Sequence, residues 1–179
     1  MGQIKFHYNE AGKPQPVVFE QIFAEKPGGG MVNAPAGVNF VPAGTGVTND
    51  SNGGLMVIPF ARVYEAANSG ATSVKVNKGT TLIVGNNYTL GSVSIKVKSI
   101  DYSNANYDLL VLNAAASASI AANSIATTDV EKAIYVTGND VYTEDGQTAF
   151  EVRLINGANL RKETANVAPQ FAPVGVTLV

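Results

Sequence analysis

Between residues 71 and 112 the chain alternates apolar and polar side chains in runs too short to build a helix. Val74 and Val76 flank Lys75, and Val93, Ile95 and Val97 alternate with Ser94, Lys96 and Lys98. A third run, Tyr107-Asp108-Leu109-Leu110-Val111-Leu112, follows the turn residues Ser103-Asn104-Ala105-Asn106. A period of two puts the apolar chains on one face and the lysines on the other, which is a half-buried antiparallel sheet. Gly79, Gly85, Asn86-Asn87 and Gly91 break the pattern at short intervals, as in a compact barrel or sandwich of short strands. Composition agrees: 179 residues with 45% hydrophobic and 15% charged is too apolar for disorder, and 18 Gly with 8 Pro is too turn-rich for a helical bundle. The expected fold is all-β: a compact barrel or sandwich of short antiparallel strands with an N-terminal arm and at most one short helix.

Residues 1–30 read as an N-terminal arm or lead-in strand. A short alternating stretch, Met1 to Tyr8, leads to the turn Gly12-Lys13-Pro14-Gln15-Pro16, an apolar run from Val17 to Phe23, and then Pro27-Gly28-Gly29-Gly30, a flexible joint. The apolar run has no local strand partner before the joint, so an arm and an ordinary first hairpin both stay open. Residues 31–179 read as the β-rich domain, with a division into two small subdomains, 31–112 and 113–179, also open. Within it, Leu55 to Ala67 reads as one long strand with an edge or bulge at Pro59. Ala114 to Thr128 is Ala-rich but has no apolar stripe at helical spacing, and is expected to be a loop or one short helix. The apolar tail Phe171 to Val179 is expected to dock on its own domain or on a neighbouring subunit.

Chemistry-bearing motifs are sparse. The chain has no Cys and one His, so disulfides, Cys-ligated zinc, iron–sulfur clusters and thiol nucleophiles are excluded. His7 would have to serve any Ser-His-Asp triad, and no Gly-x-Ser-x-Gly elbow accompanies it. Carboxylates gather in the loops Asp101 to Asp108 and Asn139 to Asp145, but neither has the glycine and closing glutamate of an EF-hand, and Asx residues also serve turns. Lys78-Gly79-Thr80-Thr81 lacks the order of a phosphate loop and reads as a turn. Lys75, Lys78, Lys96 and Lys98 lack interleaved aromatics in sequence and read as a solvated outer face. Asn49-Asp50-Ser51 and Asn87-Tyr88-Thr89 are formal glycosylation sequons, without meaning unless a secretory signal is present. Net charge is −2, without the basic footprint of a nucleic-acid or membrane binder. The N-terminus shows no secretory h-region, and Phe6 stands where myristoylation needs Ser or Thr. The residues thus imply no catalytic group, no metal, no cofactor, no nucleic acid and no membrane partner.

Several phrases along residues 33–160 resemble one family. They are Ala36-Gly37-Val38-Asn39-Phe40-Val41-Pro42-Ala43-Gly44-Thr45, Val63-Tyr64-Glu65-Ala66-Ala67, Thr72-Ser73-Val74-Lys75-Val76-Asn77-Lys78-Gly79, Val84-Gly85, Ile100-Asp101, Tyr107 to Val111, and Val136-Thr137-Gly138-Asn139-Asp140-Val141. In order, they are similar to the head fibre and capsid-decoration proteins of tailed phages and prophages of Bacteroides-type gut bacteria. The resemblance implies a non-enzymatic virion protein, made in the bacterial cytoplasm and seated on the outer capsid surface. It implies a homotrimer bound to the major capsid protein, with a host-surface glycan as a further candidate partner. Attachment is expected in the N-terminal arm through Ile4, Phe6, Val18, Phe19, Ile22 and Phe23, because an apolar run before a flexible joint can order on binding. Two other readings stay open. One is a carbohydrate- or surface-binding β-module of adhesin type, marked by an aromatic platform; the other is a small β-hydrolase working with carboxylates alone.

Overall fold

The computed structural model describes residues 18–38, 40–127, 132–142, 148–162 and 164–179, and they form an all-β protein. The only helical element among them is a 3-10 turn, Pro169–Phe171. Fifteen strands fall into sheets of eight, five and two strands.

The larger sheet is built from both ends of the described chain. Its strands are β1 (Phe19–Glu25), β2 (Gly30–Asn33), β4 (Gly46–Asn49), β5 (Leu55–Val57), β11 (Tyr135–Thr137), β13 (Ala149–Val152), β14 (Leu154–Leu160) and β15 (Val176–Leu178), in the order β1-β14-β11-β4-β5-β2-β13 with β15 also on β14. Since β13 and β14 are separated only by Arg153, the far edge of the sheet returns to its beginning, and the sheet curls into a half-barrel. Val32, Val41, Val47, Val57, Phe150, Val152 and Leu154 fill one side. On the other, Ile58, Val136, Ile155, Ala158 and Leu160 pack under Ala165, Val167 and Val176 of the C-terminal segment. Leu154 and Ile155 are neighbours and both fully buried, one in each cluster, so β14 is covered on both faces. A register shift against β1 at Asn156 then lets Ala158 and Leu160 share Ile155's side. The remaining two-stranded ladder, β3 (Phe40–Val41) with β12 (Val141–Tyr142), stacks the Phe40 and Tyr142 rings 4.7 Å apart.

Residues 61–127 form a second unit, inserted between β5 and β11. Its sheet runs β10 (Ala126–Thr127), β7 (Asn87–Leu90), β8 (Val93–Asp101), β9 (Tyr107–Leu112), β6 (Ser73–Asn77). The segment around Val63 closes it. On one side Asn77 N donates to Arg62 O and Tyr64 N to Lys75 O; on the other Val63 N donates to Ser124 O and Ala126 N to Ala61 O. A short stretch hydrogen-bonded on both sides acts as the strand that turns an open sheet into a small barrel. The alternation read from the sequence holds: Val74, Val76, Val93, Ile95, Val97, Leu110 and Leu112 all point inward, with Tyr88 and Leu90. Gly91, at φ +63 in the two-residue turn between Leu90 and Val93, supplies the conformation that such hairpins need.

Three expectations change. The two sheets divide the chain at 61–127, and neither 31–112 nor 113–179 coincides with a unit, because strands from both ends of the chain are needed to complete the larger sheet. Leu55 to Ala67 is not one strand: β5 stops at Val57, before Pro59, and residues 62–67 pair instead within the barrel. The apolar run at 18–23 finds its partner far along the chain, in β14, with Phe19 opposite Leu160. Described residues 114–127 contain no helix, and the tail docks on its own domain as β15, parallel to β14.

The buried Arg62 ties the barrel to the larger unit by donating Nη2 to the carbonyls of Lys162 (3.0 Å) and Ala165 (3.2 Å). Replacing it with Ala leaves these carbonyls without that donor, so Arg62→Ala is expected to lower stability by about 1–3 kcal/mol, read as a lower urea midpoint at unchanged slope.

Candidate functional site

The structure separates the six expected attachment residues. Ile4 and Phe6 lie outside the described residues, as does His7. Val18 is buried against Gly44 and belongs to the core cluster that also holds Ile155 and Leu160, with Phe19 packed on it. Val18 is therefore a core residue of this chain and Phe19 is half-buried against the same cluster, because β1 docks on β14 at its start. Ile22 and Phe23 remain outward, Phe23 60% exposed. Phe23 lies against Gly157, where a Cβ would come within 2.9 Å of its ring. Ion pairs at both ends pin the strand, Glu20 to Arg161 (2.6 Å) and Glu25 to Arg153. Ile22 and Phe23 thus give β1 an exposed apolar rim, and on the other edge of β14 Val174 is 99% exposed in the turn before β15.

A second surface lies on the outer wall of the barrel. Strand β6 presents Lys75 outward, and β9 presents Tyr107; the closing segment adds Tyr64 and Glu65. Lys75 Nζ sits 2.6 Å from Glu65 Oε1 and 4.9 Å from the Tyr107 ring centre. The Tyr64 and Tyr107 rings are 5.8 Å apart with a 37° tilt. The hydrogen bond that Lys75 donates to the Glu65 carboxylate holds its ammonium above the ordinary lysine range. Lys78 likewise lies 5.8 Å from the Tyr102 ring and donates to the Tyr102 carbonyl. Aromatics thus do interleave with Lys75 and Lys78, contrary to expectation, because barrel closure gathers tyrosines that are remote in sequence. Each of these lysines also has an acidic partner, whereas Lys96 and Lys98 point outward on β8.

The carboxylates serve turns. Asp101 accepts from Ser103 N and Asn104 Oδ1 from Asn106 N, both Asx turns. Asp50 does the same for Asn52 and Gly54 beside the first sequon, and Asp140 accepts from Ala43 N. Residues 143–145 of the second acidic loop, Glu144 and Asp145 among them, lie outside the described residues. Asp108, fully buried, points away from its loop: Oδ2 accepts from Gly79 N (2.8 Å) and Thr80 N (3.0 Å), and the Lys78 ammonium stands 2.8 Å from Oδ1. The Lys78-Gly79 turn, which resembled a phosphate loop by composition, is thus filled by a carboxylate of its own chain. Among the described residues no three His, Asp or Glu side chains gather as a metal site would need, and no helix is long and apolar enough to cross a membrane.

No family model, curated protein or solved structure matches this chain.

Two outcomes follow from the buried polar groups. Asp108→Ala leaves two buried N–H groups and a lysine uncompensated, and is expected to cost about 3 kcal/mol in urea unfolding. Burial, with Asp108 nearby, pushes the Tyr102 phenol up to about 12. A phenol whose folded pKa is raised favours the folded state below its unfolded value near 10, and that contribution is lost as pH rises from about 10 through 12. The steep fall in stability over this window is expected to flatten in Tyr102→Phe, and ultraviolet titration is expected to lose its last-ionising tyrosine.

Proposed function

We propose that this chain is a non-enzymatic structural protein of a tailed phage virion, a head fibre or decoration protein bound to the outer capsid surface through the β1 end of its larger sheet. The observation that carries this reading is the exposure of Ile22 and Phe23 on a strand anchored by β14 and two arginine ion pairs. Apolar side chains held rigidly at one end of a β-domain lose little entropy on docking, which suits a permanent contact with the major capsid protein. The resemblance, in order, of phrases along residues 33–160 to head fibre and decoration proteins supports the same assignment, and in this reading the inserted barrel extends from the attached sheet. Self-association as a homotrimer belongs to this reading.

The test is made on particles. Virions purified after prophage induction in the source strain are expected to contain this chain at a fixed, large fraction of the major capsid protein by quantitative peptide mass spectrometry. Phe23→Glu, exposed and so compatible with folding, is expected to reduce that fraction at least about tenfold. Absence of the chain from intact particles overturns the assignment, and unchanged loading of Phe23→Glu overturns the attachment surface.

A further inference from the structure

We propose that Tyr64, Tyr107, Lys75 and Glu65 form a binding site for a neutral saccharide on the outer wall of the inserted barrel. The inference stands on the barrel wall alone and is independent of the virion assignment.

The aromatic surface comes first. Tyr64 is 49% exposed. Leu109 and Val111, which face the same side from β9, are half-buried. The 5.8 Å separation and 37° tilt leave no room for a ligand between the two rings, so what they offer is a bent outer platform. One face of Tyr107 is already covered by the Lys75 ammonium, which leaves Tyr64 as the open stacking surface. Its mounting is rigid. Tyr64 N donates to Lys75 O at 2.9 Å, and the preceding residue is bonded on the opposite side by Val63 N to Ser124 O and Asn123 N to Val63 O. A two-torsion aromatic side chain that directly follows a bridge residue held from both sides gives contact area at little entropic cost.

The polar groups set the ligand class. Glu65 and Lys75, 2.6 Å apart, place a hydrogen-bond acceptor and a donor next to each other at the edge of the platform. Asn77, opposite Tyr107 in the β6–β9 register, brings a carboxamide to the same wall. An apolar surface bordered by adjacent donors and acceptors matches a pyranose, whose C–H face stacks on an aromatic ring while its neighbouring hydroxyls both give and accept hydrogen bonds. The charge balance selects neutral sugars. The carboxylate and ammonium cancel, so an acidic sugar or a phosphate would have to displace Glu65 from Lys75 to find a cation.

Binding of maltoheptaose, cellohexaose and mannohexaose to the full chain, with trigalacturonate as the acidic comparison, tests this by saturation-transfer NMR and calorimetry. At least one neutral oligosaccharide is expected to bind with a Kd below about 10 mM and to receive saturation on its ring protons. Tyr64→Ala is expected to weaken it about tenfold or more, with Tyr64→Phe retaining most of the affinity and Lys96→Ala all of it. Glu65→Gln, which keeps the shape, is expected to weaken it severalfold. Failure of all three neutral probes to bind overturns the proposal. So does unaltered binding by a folded Tyr64→Ala, or trigalacturonate binding as tightly as the best neutral sugar.

Discussion

Strand β14 is hydrogen-bonded along both edges, to β1 on one side and to β11 and β15 on the other, and buried on both faces. A central strand in this position has to satisfy two hydrogen-bond ladders and two apolar clusters with seven residues, LINGANL. The β-bulge at Asn156 and the bare Cα of Gly157 make this possible. The bulge resets which face each side chain meets, and the glycine leaves room for Phe23 and Ala24 to lie across the strand. Without β14, neither the β1 rim nor the packing of the C-terminal segment has anything to rest on.

The barrel depends on a different balance. Its wall is stitched by backbone hydrogen bonds, but the turn leading out of β6 is organised around a fully buried carboxylate, Asp108, with two N–H donors and the Lys78 ammonium around it. A charge buried at that depth is stable only because every partner is local and fixed. The same carboxylate helps to keep the Tyr102 phenol protonated, so one buried acid sets the electrostatics of the neighbouring wall.

Much of the barrel was legible in the sequence, since a period-two pattern states directly which side chains face inward, and Val74 through Leu112 do so as read. Periodicity carries no information about which strands meet. The apolar run at 18–23 has no local partner because its partner lies some 140 residues on, where Val18 joins the core and Phe19 packs against it. The tyrosine wall was hidden for the same reason. Tyr64 lies more than 40 residues from Tyr107 in sequence, and only the pairings of Val63 with Val76 and of Asn77 with Tyr107 bring the two together around Lys75. Pro59 did carry a usable signal: it marks where one unit ends and the next begins.

Val47 of β4 pairs with Val57 on one side and with Tyr135 on the other, so the chain leaves the larger sheet for the barrel and returns to it only two strand spacings apart, about 10 Å. The barrel's strand pairings close within its own span, whereas β1, β2 and β4 each wait for a partner made after it: β14, β13 and β11. On the ribosome, the inserted unit can therefore be complete while the sheet that carries it holds only the β4-β5-β2 ladder and still lacks β11, β13, β14 and β15.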